Sequence, residues 1–142
     1  MRLIAVTMAV LEVVSLATFP CEAADWEMIT LDCILSPASI VTMDNGQMIT
    51  KQPGKEDELR ITFTGFDEKS RRAILVGNLG SDPVMFLDKA DHVQLIQITQ
   101  GGNVATTTIT ATEQEITAVQ TRHMAIANGG VFSLYSGACR PR

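Results

Sequence analysis

Ile40-Val41-Thr42-Met43 and Gln47-Met48-Ile49-Thr50 are two short runs separated by Asp44-Asn45-Gly46. β-Branched residues suit a pleated, half-buried surface. Asn-Gly supplies the positive φ that a two-residue turn needs, so the stretch predicts a β-hairpin. Downstream, Leu59, Ile61 and Phe63 alternate with Arg60, Thr62 and Thr64, the period of a strand with one buried face. Asp67-Glu68-Lys69-Ser70 turns that strand back into Ala73-Ile74-Leu75-Val76. The same rhythm continues to the end of the chain. Val84-Met85-Phe86-Leu87 reads as a short strand bounded by Asp82-Pro83 and Asp88. Residues 93–99 follow, where the adjacent Leu95-Ile96 predict a bulge or burial on both faces. Further strands are expected at 104–109, 116–126 and 131–135, with turns at Gly101-Gly102-Asn103 and Asn128-Gly129-Gly130.

This pattern predicts an all-β fold of about eight strands joined by short connections, which favours an antiparallel meander. A flat meander leaves two unpaired edges, and closure into a small barrel or half-barrel removes them. A two-layer β-sandwich is the competing layout.

The chain has 142 residues, of which 46% are hydrophobic and 19% charged. Such a length fits a single domain, and such a composition argues against disorder. With 11 basic and 16 acidic side chains, the net charge of −5 excludes an electrostatic nucleic-acid binder.

Residues 1–24 read as a secretory signal peptide and 25–142 as one β domain. Met1-Arg2 gives a positive start, residues 3–11 and 13–19 are apolar, and Cys21-Glu22-Ala23-Ala24 offers small residues for cleavage after Ala23 or Ala24. Glu12 interrupts the apolar run, which is shorter than the ~20 residues of a spanning helix. Ala17-Thr18-Phe19-Pro20 is not a lipobox, so no lipid anchor is expected at Cys21. The mature chain has no transmembrane segment by this reading, and its expected location is periplasmic or extracellular.

Removal of Cys21 leaves Cys33 and Cys139, which an oxidising compartment would join as a disulfide. Closing a loop of about 100 residues stabilises a fold by up to ~4.7 kcal/mol in chain-entropy reasoning.

Motifs that carry chemistry are sparse. Gly-x-Ser-x-Gly and His-Glu-x-x-His do not occur, and Gly101-Gly102 leads into a strand rather than a phosphate-binding helix. Cys-x-x-Cys is missing as well, so no zinc or redox motif is read, and no cofactor or metal is expected. Arg122 and His123 are the candidate functional residues, since an imidazole could serve as base for Ser133 or Ser136 as nucleophile in a small hydrolase. The run Thr106-Thr107-Thr108-Ile109-Thr110 could present a hydroxyl row, although β-propensity alone accounts for it. Without a catalytic constellation, the favoured reading is a non-enzymatic module that binds a protein or a small apolar ligand. Recognition is then expected at hairpin loops around Asn45, Asp82 and Asn128.

Five blocks together carry a resemblance. They are Leu75-Val76-Gly77-Asn78, Leu95-Ile96-Gln97-Ile98-Thr99, Gly102-Asn103-Val104-Ala105-Thr106-Thr107-Thr108-Ile109, Ala118-Val119-Gln120-Thr121-Arg122-His123 and Tyr135-Ser136-Gly137-Ala138-Cys139. In combination they resemble a set of small exported proteins of alphaproteobacteria, rhizobia among them, over roughly Leu59 to Cys139. The resemblance implies an envelope or secreted location, and it implies no mechanism and no catalytic residue.

Overall fold

The computed structural model describes residues 29–89 and 91–142. The expected signal segment, including Cys21, lies outside the described residues. Nine strands occur among those described: β1 (Leu31–Asp44), β2 (Gln47–Lys51), β3 (Leu59–Asp67), β4 (Arg72–Gly77), β5 (Gly80–Lys89), β6 (His92–Ile98), β7 (Val104–Ala111), β8 (Ile116–Ile126) and β9 (Gly129–Pro141). A single 3-10 turn at Lys55–Asp57 joins β2 to β3. The sheet runs β2-β1-β3-β4-β5-β6-β7-β8-β9, and β9 pairs back onto β1. All pairings are antiparallel. The fold is therefore a closed eight-stranded barrel with β2 as an extra strand, and the sandwich alternative is set aside.

The Asn-Gly hairpin forms as expected. Asn45 has φ 48° and Gly46 has φ 78°, the two positive values of the turn that matches strand twist. The strand it begins on is longer than the sequence suggests, because β1 serves two neighbours in succession. Residues 31–35 pair with β3, and residues 40–44 pair with β2, while β9 accompanies both halves. A register shift between Pro37 and Ser39 marks the changeover. The added residue, Ala38, reverses the alternation, so Ile40 faces inward where strict period two would have turned Val41 in.

A second bulge has a similar effect in β3. The register shifts between Thr64 and Asp67, and Gly65 sits at φ 61°. Phe66 is thereby turned into the core, where its ring meets Phe86 edge-on at 5.5 Å. At Leu95-Ile96 the register is unbroken, with Leu95 buried inside and Ile96 half-buried outside. Burial toward both faces, rather than a bulge, explains that pair.

Cys33 and Cys139 are direct cross-strand partners and form a disulfide spanning 106 residues of sequence. Around them Leu31, Leu35, Phe63, Phe66, Phe86, Val93 and Ile109 fill one end of the barrel. Gly137 permits β9 to lie close to β1, since a Cβ there would fall 2.0 Å from the Ile34 carbonyl oxygen.

Asp82 corrects an expectation. It belongs to β5 rather than to a loop, and the hairpin turn falls earlier, at Asn78-Leu79 between the paired Gly77 and Gly80. Pro83, which punctuates the sequence there, pairs with Ile74 of β4 inside the strand. Pairing of β5 with β6 begins only at Met85–Ile96. A proline without an N–H is tolerated on a strand side that has no ladder to complete.

Candidate functional site

The two ends of the barrel differ. One is plugged by aromatic and branched side chains; the other opens into a cleft of about 460 Å³. Inward-facing positions of six strands build its walls, and the β4–β5 and β6–β7 turns build its rim. Leu59 and Ile61 of β3 and Leu75 of β4 supply the apolar wall, with Leu79 fully exposed on the rim. Gln120 lies at the base, 3% exposed, and its amide donates a 2.8 Å hydrogen bond to the Thr107 hydroxyl. This buried pair is where the dry core ends and the polar mouth begins.

Three charged residues border the cleft: Asp82 and Arg122 at inward register positions, and Arg60 at an outward one. Arg60 donates to Glu58 at 2.8 Å. Asp82 accepts from the Gln97 amide at 2.8 Å, a bond that spans the unpaired stretch between β5 and β6. Arg122 has neither a hydrogen-bond nor an ion-pair partner among the described residues. Its cross-strand neighbours are Ala105 and Ser133, both small and buried, which leaves its side chain room over the cleft.

Arg122 and His123 are adjacent in sequence and lie on opposite sides of the wall. His123 is exposed on the outer surface, where its ring meets Phe132 at 5.3 Å in an edge-on contact. Ser133 is buried inside, 8% exposed, opposite Arg122 and not opposite His123. Ser136 shares the outer face but pairs with Val119, four residues from His123, which places it roughly 13 Å away along the strand. A base–nucleophile pair requires hydrogen-bond reach, about 3.2 Å at most. The strand register therefore sets His123 apart from both Ser133 and Ser136.

The threonine run divides in the same way. Thr107 points inward to Gln120, whereas Thr106 and Thr108 are half-buried on the outside. The Asn45 and Asn128 turns lie together at the end of an extension beyond the barrel, where the Asn45 N–H donates to the Asn128 carbonyl at 3.2 Å. Neither turn lines the cleft.

Sequence reasoning missed Leu59, Leu75, Gln97 and Gln120 as site residues. The inward set of β8, with Ala118, Gln120 and Arg122, mixes apolar and polar types. Only closure of the sheet shows which of the two faces is the interior. No helix among the described residues is long and apolar enough to cross a membrane. Compared with protein families, curated proteins and solved structures, the chain finds no match.

Proposed function

We propose that the protein is an exported, non-enzymatic binding module that takes a small, largely apolar ligand into the mouth of its barrel. The observation that carries this reading is the asymmetric filling of the barrel: one end is solid, and the other holds about 460 Å³ of lined space. Ligand sites are concave, mostly apolar and ~300–1,000 Å³ in volume, with a few placed polar groups. Leu59, Ile61 and Leu75 provide the apolar surface, while Gln97, Gln120 and Arg122 provide the polar groups. At about 30 Å³ per water-sized group, the space suits a ligand of a dozen or so heavy atoms.

Export is supported by the disulfide, because such bonds persist in oxidising compartments. It is also supported by the leader-like residues 1–24 and by the resemblance to exported alphaproteobacterial proteins.

The test is binding of N-phenyl-1-naphthylamine, a neutral apolar dye that brightens on leaving water. Saturable brightening is expected. It should be lost in Gln97→Trp, which fills the cleft, and kept in Met85→Trp, which lies on the outer face. Equal loss in both variants, or no saturable binding by the native protein, overturns the proposal.

A further inference from the structure

The unpaired guanidinium gives the ligand a chemical class. We infer that the cleft binds a single-chain amphiphile with a carboxylate head, seated on Arg122, and this rests on the reading of the mouth as a ligand site. Of the three charged residues bordering the cleft, Arg60 is matched by Glu58 and Asp82 is engaged by Gln97. Arg122 is left as the one cation of the cleft without a hydrogen-bond or ion-pair partner among the described residues, half-buried between Ala105 and Ser133. A partly desolvated cation without a counter-charge is costly, and a ligand carboxylate would satisfy it through the planar fork that guanidinium presents.

Strand order supplies the second half of the inference. Around the ring β1-β3-β4-β5-β6-β7-β8-β9, strand β4 stands four places from β8 in either direction. Arg122 on β8 thus faces the apolar wall of Leu75 on β4 across the full width of the mouth, with Leu59 and Ile61 of β3 beside it. A molecule spanning that gap meets charge at one end and hydrocarbon at the other. Its head should carry one negative charge rather than two, because one cation is unmet and the Asp82 carboxylate shares the same cleft.

The experiment measures displacement of N-phenyl-1-naphthylamine by decanoate, 1-decanol, decyl phosphate and decyltrimethylammonium at pH 7.5 and low salt. Decanoate is expected to compete at least tenfold better than decanol, and better than the doubly charged phosphate or the cation. In Arg122→Met, which retains length and apolar bulk, decanoate should fall to the level of decanol while decanol changes less than threefold. Arg122→Lys should recover part of the difference. The near-ultraviolet circular dichroism of each variant reports whether the fold is retained.

Equal competition by decanoate and decanol in the native protein, or an equal loss of both in Arg122→Met, overturns the carboxylate class and leaves the apolar site standing. Stronger competition by decyl phosphate also overturns it, in favour of a dianionic head. Failure of the dye itself to bind the native protein removes the site and this inference together.

Discussion

The two halves of β1 are both largely apolar and meet different fates. Residues 31–35 lie between β3 and β9, and Leu31, Cys33 and Leu35 are buried to 2% exposure or less. Residues 40–44 lie between β2 and β9, and past Ile40 each is half-buried or exposed. Their partner β2 is exposed at every position, Met48 to 75% and Ile49 to 56%. Both halves carry mostly apolar residues, Leu31, Cys33, Ile34 and Leu35 in one and Ile40, Val41 and Met43 in the other. What differs is the space they face: the lower half closes around a filled interior, and the upper half rises past the barrel as a lip beside the open mouth. Apolar pattern makes a strand, and burial requires that opposite walls be present to meet it.

The largest expected effect is on the lower half. Replacing Cys33 and Cys139 together by Ser should cost on the order of 4 kcal/mol, within the ~2–5 kcal/mol that a native disulfide typically contributes to a small domain. Urea midpoints with and without reductant measure it. An unchanged midpoint would mean that the seam holds without its covalent link.

Two glycines on β9 test the halves against each other. A Cβ at Gly137 would fall 2.0 Å from the Ile34 carbonyl oxygen, and one at Gly129 would fall 1.7 Å from that of Met43. The clashes are alike in kind, both against β1 backbone. Gly137→Ala, within the closed wall, should lower global stability by about 1–3 kcal/mol, the usual cost of overpacking. Gly129→Ala, in the lip, should instead raise amide exchange in β2 and in residues 40–44 while moving the urea midpoint less. Equal midpoint shifts would show that the lip unfolds together with the barrel.

Smaller effects are expected on the exposed strand. Met48→Thr and Ile49→Thr should each stay within about 0.5 kcal/mol, as surface changes usually do. Calorimetric midpoints check this, and a larger loss would place these side chains in an interface.

The smallest effect is a pH dependence of the tether between β2 and the 3-10 turn. The Gly54 N–H and then the Lys51 ammonium hold the Asp57 carboxyl below its ordinary value, and Asp57 in turn raises the Lys51 ammonium. A depressed folded value means that the aspartate's contribution is present above the unfolded pKa of about 3.9. It is lost as pH falls through the lower folded value. A raised lysine value means that its contribution is lost only at strongly alkaline pH. Amide exchange of β2, corrected for the intrinsic rate, should therefore rise below about pH 4 in the native protein and lose that dependence in Asp57→Asn. The same acid response in both proteins would assign it elsewhere.

Much of the barrel is readable from the chain because its signals are local. The Asn45-Gly46 turn, the alternation at Leu59, Ile61 and Phe63, and the pairing of Cys33 with Cys139 each rest on a few neighbouring residues or on cysteine parity. The misreadings have equally local causes. Ala38 and Gly65 are single bulge residues that reverse which side chains face inward, and nothing in hydropathy announces them. Asp82-Pro83 looks like a boundary because proline and aspartate usually are, yet β5 runs through it beside an unpaired flank of β6.

The site was legible only in part. The sequence singles out Arg122 and His123 together, for an imidazole that could act as a base, and a period of two assigns such neighbours to opposite faces without naming the inner one. Asp82 was expected to take part in recognition as a loop residue, and it reaches the cleft from a strand. Gln97, Gln120 and Leu75 come together from separate strands through closure, so no sequence window contains them.

Amide chemical-shift mapping during titration with decanoate tests the central claim most directly. Shifts should concentrate at Leu59, Leu75, Gln97, Gln120 and Arg122 and saturate together, with outer-face Met85, Leu87 and Val119 unmoved. Shifts confined to that outer face, or to the exposed strand β2, would contradict a ligand site in the mouth.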